Sequence, residues 1–186
     1  MRNYRTQMEA ARKGIITPEM KLVAAKEFRT DEEIRELVAK GQVVICANKL
    51  HTCINPNGIG SMLRTKINVN LGVSRDCKDY DIELEKVMSA VNLGAEAIMD
   101  LSSHGDTQPF RKRLIAECPA MIGTVPVYDS VIHYQRDLAT LTAKDFVDVV
   151  RLHAADGVDF ITLHCGITRK TIKQIREHKR KMNIVS

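Results

Sequence analysis

From residue 65 onward, short apolar runs alternate with amphipathic stretches at a spacing near 30 residues. That rhythm limits the fold more than any other property of the chain. TKINVNLG (65–72) reads as a strand. DIELEKVMSAVNLG (81–94) reads as a helix with Leu84, Val87, Met88 and Val91 on one face and Gly94 as its stop. AEAIMDL (95–101) is a strand, QPFRKRLIAE (108–117) a helix, AMIGTVPVY (120–128) a strand and SVIHYQRDL (130–138) a weaker helix. TAKDFVDVVRLHAADG (142–157) is a helix capped by Thr142 and Asp145, with Phe146, Val149, Val150 and Ala154 inward. VDFITLHCG (158–166) is a strand and TRKTIKQIREHKRK (168–181) a basic helix, and NIVS (183–186) opens a fifth strand. LGAEAIMDL and DGVDFITLH form a partial repeat: a helix-stopping glycine, an acidic residue two positions later, then a strand.

Such alternation predicts parallel βα units. Unit length, apolar strands and the lack of a glycine-rich phosphate fingerprint favour an α/β fold of the (β/α)8 barrel type over a doubly wound sheet. A complete barrel takes ~250 residues. Residues 65–186 supply about four and a half units. The chain is therefore expected to be the N-terminal portion of a longer protein, incomplete as a barrel and ending in strand five. Its unpaired edge would be a pairing surface, which leaves a non-catalytic interaction module as the rival of another class.

Residues 1–64 read as a separate helical region with one short strand and a loop. TPEMKLVAAKEF (17–28) has Thr17 as N-cap and Pro18 at the first helical position. TDEEIRELVAKG (30–41) carries a capping box, Thr30 with Glu33, and stops at Gly41. QVVICAN (42–48) is a strand, and the Asn, Pro and Gly of residues 49–64 mark a loop.

Net charge is +5, but residues 168–181 alone hold +6, so the remainder is near −1. One basic segment in an otherwise balanced chain, without interleaved aromatics, reads as a solvated outer helix with Ile172 and Ile175 inward. Nucleic acid is not an expected partner. No apolar run approaches the ~18–20 residues that span a bilayer, and the N-terminus lacks an apolar signal core. The expected location is the cytoplasm, with no membrane partner. The five cysteines (Cys46, Cys53, Cys77, Cys118 and Cys165) contain no C-x-x-C and read as reduced, mostly buried small hydrophobes. His51 and Cys53 lie close together without further ligands nearby, so no metal site is expected in this chain.

Barrels of this kind collect function at the C-terminal ends of their strands. Those ends deliver Asn68 and Asn70, Met99 and Asp100, Tyr128, His164 and Ser186. Asn70, Met99 and Tyr128 follow one another at 29 residues, and His164 comes 36 later. Each has a plainer reading alone: Asn70 and Asp100 as caps, Met99 and Tyr128 as packing, His164 as a core imidazole. Their shared period argues for a site. LSSHGDTQ (101–108) reads as an anion-binding loop or as an ordinary turn and N-cap.

Several motifs carry a resemblance: TQMEAARKGIITPEM (6–20), KINVNLG (66–72), AIMDLS (97–102), IGTVPVY (122–128), GVDFITLHCG (157–166) and NIVS (183–186). In order and spacing they resemble the phosphomethylpyrimidine synthase family, which includes the 5-hydroxybenzimidazole synthases. The resemblance implies a (β/α)8 barrel, a homodimer, and radical chemistry on 5-aminoimidazole ribotide driven by S-adenosylmethionine and a 4Fe-4S cluster, with zinc. It implies substrate contacts for Asn70, Met99, Tyr128 and His164, and a phosphate-binding turn beginning at Ser186. The cluster cysteines, zinc ligands and remaining phosphate ligands of that family lie beyond this chain, which alone should be inactive. Four departures from the pyrimidine synthases are Leu50, Val73, Cys165 and the loop 52–60. They resemble the benzimidazole branch better. The expected product is thus 5-hydroxybenzimidazole for a cobamide lower ligand, with hydroxymethylpyrimidine phosphate for thiamine as the alternative.

Overall fold

The computed structural model describes residues 3–178. The expected strand at 183–186, with Ser186, lies outside the described residues. Three short helices open the chain: α1 (Gln7–Arg12), α2 (Pro18–Lys26) and α3 (Asp31–Ala39). Each starts where a threonine hydroxyl takes an orphan backbone N–H. Thr6 accepts from Glu9, Thr17 from Met20 and Thr30 from Glu33, the last within a closed capping box. Met20, Val23, Ile34 and Val38 bury against Ala10 and Ala11 in one apolar cluster.

That cluster also holds β1 (Val43–Ile45), which pairs antiparallel with β2 (Gly58–Gly60). Residues 49–64 are therefore not all loop, as the sequence suggested. The two glycines serve close approach rather than a turn. A Cβ on Gly58 would fall 2.8 Å from the side chains of Val23 and Leu63, and one on Gly60 would fall 2.1 Å from the Gln42 carbonyl oxygen.

A parallel sheet follows, built from β3 (Asn68–Leu71), β4 (Ala97–Asp100), β5 (Met121–Thr124) and β6 (Phe160–Ile161) in that spatial order. Helices α4 (Tyr80–Asn92), α5 (Gln108–Glu117), α6 (Pro126–Tyr134) and α7 (Ala143–Asp156) make the crossovers that parallel pairing requires. Helix α8 (Arg169–Glu177) comes after β6. The described chain is thus an α/β fold with a partial parallel sheet. Val69, Ile98 and Ile122 pack with Leu84, Val87, Phe110 and Leu114 of the helices. Strand alternation puts Asn70, Met99, Gly123 and Phe160, which are register partners in sequence, on the opposite face.

Several expectations need correction. Strand β5 ends at Thr124, not Tyr128, because Pro126 offers no ladder N–H and its fixed φ suits a first helical turn. Helix α6 therefore begins four residues before the expected Ser130, and Leu138–Thr140 form a separate 3-10 turn. Strand β6 is two residues long, because its neighbour β5 has already given way to α6. On α7 the buried face runs through Val149 and His153, while Ala154 is exposed. Helix α8 buries no residue, and Ile172 is 39% exposed. Of the cysteines only Cys118 is buried; Cys46 and Cys77 are half-buried, and Cys53 and Cys165 are exposed.

The partial repeat has a physical cause. Gly94 and Gly157 both take positive φ, 100° and 105°, just past a helix end. The acidic residue two positions later accepts a backbone N–H from the neighbouring strand: Glu96 from Ile67 at 2.7 Å, Asp159 from Ile122 at 2.8 Å. Asp159 does more. Its carboxylate also accepts the Asn48 N–H and meets His51 Nδ1, both at 2.7 Å, while His51 Nε2 meets the Cys118 carbonyl at 2.7 Å. Both His51 partners are acceptors, so both ring nitrogens donate and the ring is an imidazolium. Burial pushes the His51 pKa down, but the hydrogen bond and charge of Asp159 outweigh it, leaving the pKa above the ordinary 6.5.

This lock joins the N-terminal region to β5 and β6, and it makes stability pH-dependent. A raised folded pKa contributes in full below the unfolded value and is lost as pH rises through the folded one. Denaturation series from pH 6 upward should show stability declining through this transition, and Asp159→Asn should flatten that slope. Because it leaves His51 buried without its anion, Asp159→Ala should cost about 3–5 kcal/mol.

Candidate functional site

The structure places the sequence-selected side chains as two pairs. Asn70 and Met99 are register partners on β3 and β4. The rings of Tyr128 and His164 lie 5.8 Å apart between centroids, inclined at 39°. Tyr128 lies in the first turn of α6 rather than on a strand. It stays near the end of β5 because a single residue, Val125, separates β5 from α6. His164 is exposed in the segment after β6. Ser186 lies outside the described residues.

Gly123 lies beside the first pair. It sits between Met99 and Phe160 in the register and has no side chain. A Cβ there would fall 2.3 Å from the Phe160 ring. The space lets β6 reach over β5: the Thr162 hydroxyl approaches the Met99 sulfur at 3.8 Å. On β3, Asn68 Nδ2 donates to Asn70 Oδ1 at 2.8 Å, which commits the Asn70 carbonyl and sets the plane of its amide. Asn70 and Met99 on the strands, and Tyr128 and His164 beyond them, supply an amide, a thioether, a phenol and an imidazole. That set suits a small polar heterocycle bearing hydroxyl groups.

Sequence reasoning missed a buried polar cluster. Arg111 of α5 donates from Nη1 to Asp129 of α6 at 3.3 Å, and from Nε and Nη2 to Asp156 of α7 at 3.0 and 2.9 Å. Thr107 donates its hydroxyl to Asp129 at 2.5 Å, and His153 Nε2 donates to it at 2.9 Å. Burial raises the Asp129 pKa, but the His153 and Thr107 hydrogen bonds and the Arg111 charge overcome it and bring it down to about 2. Nearby Asp100 goes the other way. Burial raises its pKa against the Ser102 hydrogen bonds and the charges of Arg111 and His153. The one signal available in the sequence was His153, a histidine on the otherwise apolar face of α7.

Two of the three hydroxyls of the 101–108 loop are committed inward. Ser102 donates to Asp100 at 2.5 Å and receives the Val73 N–H at 3.0 Å, and Thr107 serves Asp129. Ser103 is exposed. The cysteines do not fit an iron–sulfur cluster or zinc. They are dispersed, and among the described residues no three His, Cys, Asp or Glu side chains converge as a metal site. Burial pushes the thiols of Cys46 and Cys118 up to about 11, which disfavours the thiolate a metal requires.

Comparison with known proteins finds a matching family and similar proteins. A family model described as the radical SAM ThiC family matches residues 6–186. A phosphomethylpyrimidine synthase of Clostridioides difficile is 55% identical over 184 residues, 99% of this chain and 42% of that protein. One from Alkaliphilus oremlandii is 57% identical over 183 residues, 98% of this chain and 42% of that protein. A third, from Clostridium kluyveri, is 55% identical with the same 42% share of its length. The chain therefore spans about two fifths of the length of these relatives.

These relatives overturn the expectation of a 5-hydroxybenzimidazole synthase serving cobamide assembly. They carry the pyrimidine synthase name at high identity. Packing accounts for two of the four departures that suggested otherwise. Val73 is buried in the helix–sheet core, and the 52–60 loop carries β2; these positions answer to local fit and do not report the product. Leu50 and Cys165 are exposed, and nothing in the structure explains them.

Gly123 yields a prediction. Gly123→Ala forces a methyl group into the Phe160 ring and should destabilise the protein by about 1–3 kcal/mol, as overpacking does. Its thermal midpoint should fall, whereas Gly166→Ala, at an open position without a left-handed backbone, should change it much less.

Proposed function

We propose a function from one premise: the chain belongs to the radical SAM ThiC family. It forms the substrate-binding N-terminal part of a phosphomethylpyrimidine synthase, which converts 5-aminoimidazole ribotide into hydroxymethylpyrimidine phosphate for thiamine. The observation that carries this reading is the identity of 54–57% to proteins of that name across nearly the whole chain. The four-stranded sheet is read as the first half of a (β/α)8 barrel closed by the rest of the full-length protein, which acts as a homodimer.

When bound, S-adenosylmethionine and a 4Fe-4S cluster supply the radical that starts such chemistry; their ligands, and those of zinc, belong to the remainder of the protein. The residues of this chain bind and orient. Asn70 and His164 hydrogen-bond the polar atoms of the imidazole and ribose, and the Tyr128 phenol adds a donor and acceptor beside them. Met99 packs its soft thioether against the heterocycle. Phe160 and Met99 keep water from the floor of the site, which protects a reactive intermediate. Ser186, outside the described residues, is assigned to the phosphate on the family resemblance alone.

The test is product mass. The complete protein, reconstituted without oxygen and supplied with 5-aminoimidazole ribotide and S-adenosylmethionine, should release hydroxymethylpyrimidine phosphate. Release of 5-hydroxybenzimidazole, or of neither compound, contradicts the reading. His164→Ala should lower kcat/KM by roughly 10–100-fold, the scale of a lost substrate-positioning contact. Because His164 is exposed, its removal should leave the thermal midpoint within about 2 °C of the parent.

A further inference from the structure

We infer that Asp129 is a positioning residue for Tyr128: the buried cluster of Arg111, Asp129 and His153 fixes the rotation of α6 and thereby sets the Tyr128 ring against His164. The inference rests on the reading of Tyr128 as a substrate contact.

Tyr128 and Asp129 are consecutive residues in the first turns of α6, about 100° apart around its axis. Whatever holds one side chain sets the direction of the other. Helix α6 lacks the usual device for fixing its start, since Val125 at the N-cap makes no side-chain hydrogen bond. Asp129 supplies the hold instead. It is tied to α5 through Arg111, to the start of α5 through Thr107 and to α7 through His153. The tie then continues to the sheet, because His153 Nδ1 hydrogen-bonds Thr124, the last residue of β5, at 2.8 Å. Asp129 is thus referenced to the strand whose neighbours carry Met99 and Phe160.

Stability alone is a poor reason for this cluster. Arg111, Asp129 and His153 are 1%, 7% and 2% exposed, so ions and a polar ring are withdrawn from water. Apolar side chains of similar volume usually stabilise such places at least as well. Directional bonds give what apolar packing does not, a single angular setting for α6. No member of the cluster needs to reach the substrate; its effect passes through Tyr128.

A double-mutant cycle in the complete protein tests the inference. D129N alone should lower kcat/KM for 5-aminoimidazole ribotide ~10-fold or more, the cost of a misplaced contact. In a Y128L background the same change should cost about twofold or less, because the contact it places is already gone. H153Q, which retains an N–H for Asp129, should recover most of the activity that H153L loses. Equal losses from D129N with and without Tyr128 would overturn the inference.

A second readout is independent of turnover. In protein labelled with 3-fluorotyrosine, the Tyr128 resonance is identified by its loss in Y128F. D129N should shift it towards the position of free fluorotyrosine and leave the other resonances in place; an unmoved resonance contradicts positioning. If the parent enzyme does not consume 5-aminoimidazole ribotide, the proposed function falls, while the fluorine spectrum still decides on Asp129. Should D129N fail to fold, H153Q and H153L carry both readouts.

Discussion

The register of the parallel sheet is the constraint on which the rest of the molecule depends. A slip of one residue between strands would turn Asn70, Met99 and Phe160 towards the helices and Val69, Ile98 and Ile122 away from them. Two carboxylates guard against it. Glu96 takes the Ile67 N–H and Asp159 takes the Ile122 N–H, each at the point where a strand starts. Apolar burial against α4 and α5 then rewards the same alignment.

Asp159 extends this control beyond the sheet. Through His51 and Asn48 it anchors a segment of the N-terminal region more than a hundred residues away in sequence. The N-terminal helices have their own apolar cluster, so the lock joins two cores rather than completing one. At the other end of the strands, the cluster around Arg111 ties α5, α6 and α7 together. The candidate residues are thus held between a fixed register below and a polar brace behind.

Much of this was legible in the sequence because the signals are local. Apolar periodicity located α4, α5 and α7, and threonine caps at Thr30 and Thr142 marked helix starts. The 29-residue spacing led to Asn70, Met99 and Tyr128, of which the structure puts Asn70 beside Met99 on the strands and Tyr128 on α6 near His164. Other features depend on distant partners and leave no local mark. Gly58 and Gly60 looked like turn residues, but their glycines make room for Val23 and Gln42 from earlier elements. Pro126 was the exception: it does mark the end of β5 and the start of α6 locally, but the apolar residues around it read as one continuous strand. The Arg111 cluster draws on four separate elements, α5, α6, α7 and β5, so no window of sequence contains it. The product branch was misjudged for the same reason, since core packing at Val73 and the pairing of β2 were taken as marks of chemistry.

The proposed function requires this sheet to present one wall of a pocket for an aminoimidazole ribotide. A crystal structure of the full-length protein with that compound bound tests it most directly. The account predicts the ligand's ring and ribose between Asn70 and His164, with polar contacts of about 3 Å to Asn70, Tyr128 or His164 and the Met99 thioether against the heterocycle. Density for the compound at another place in the protein, with these four side chains untouched, would contradict it.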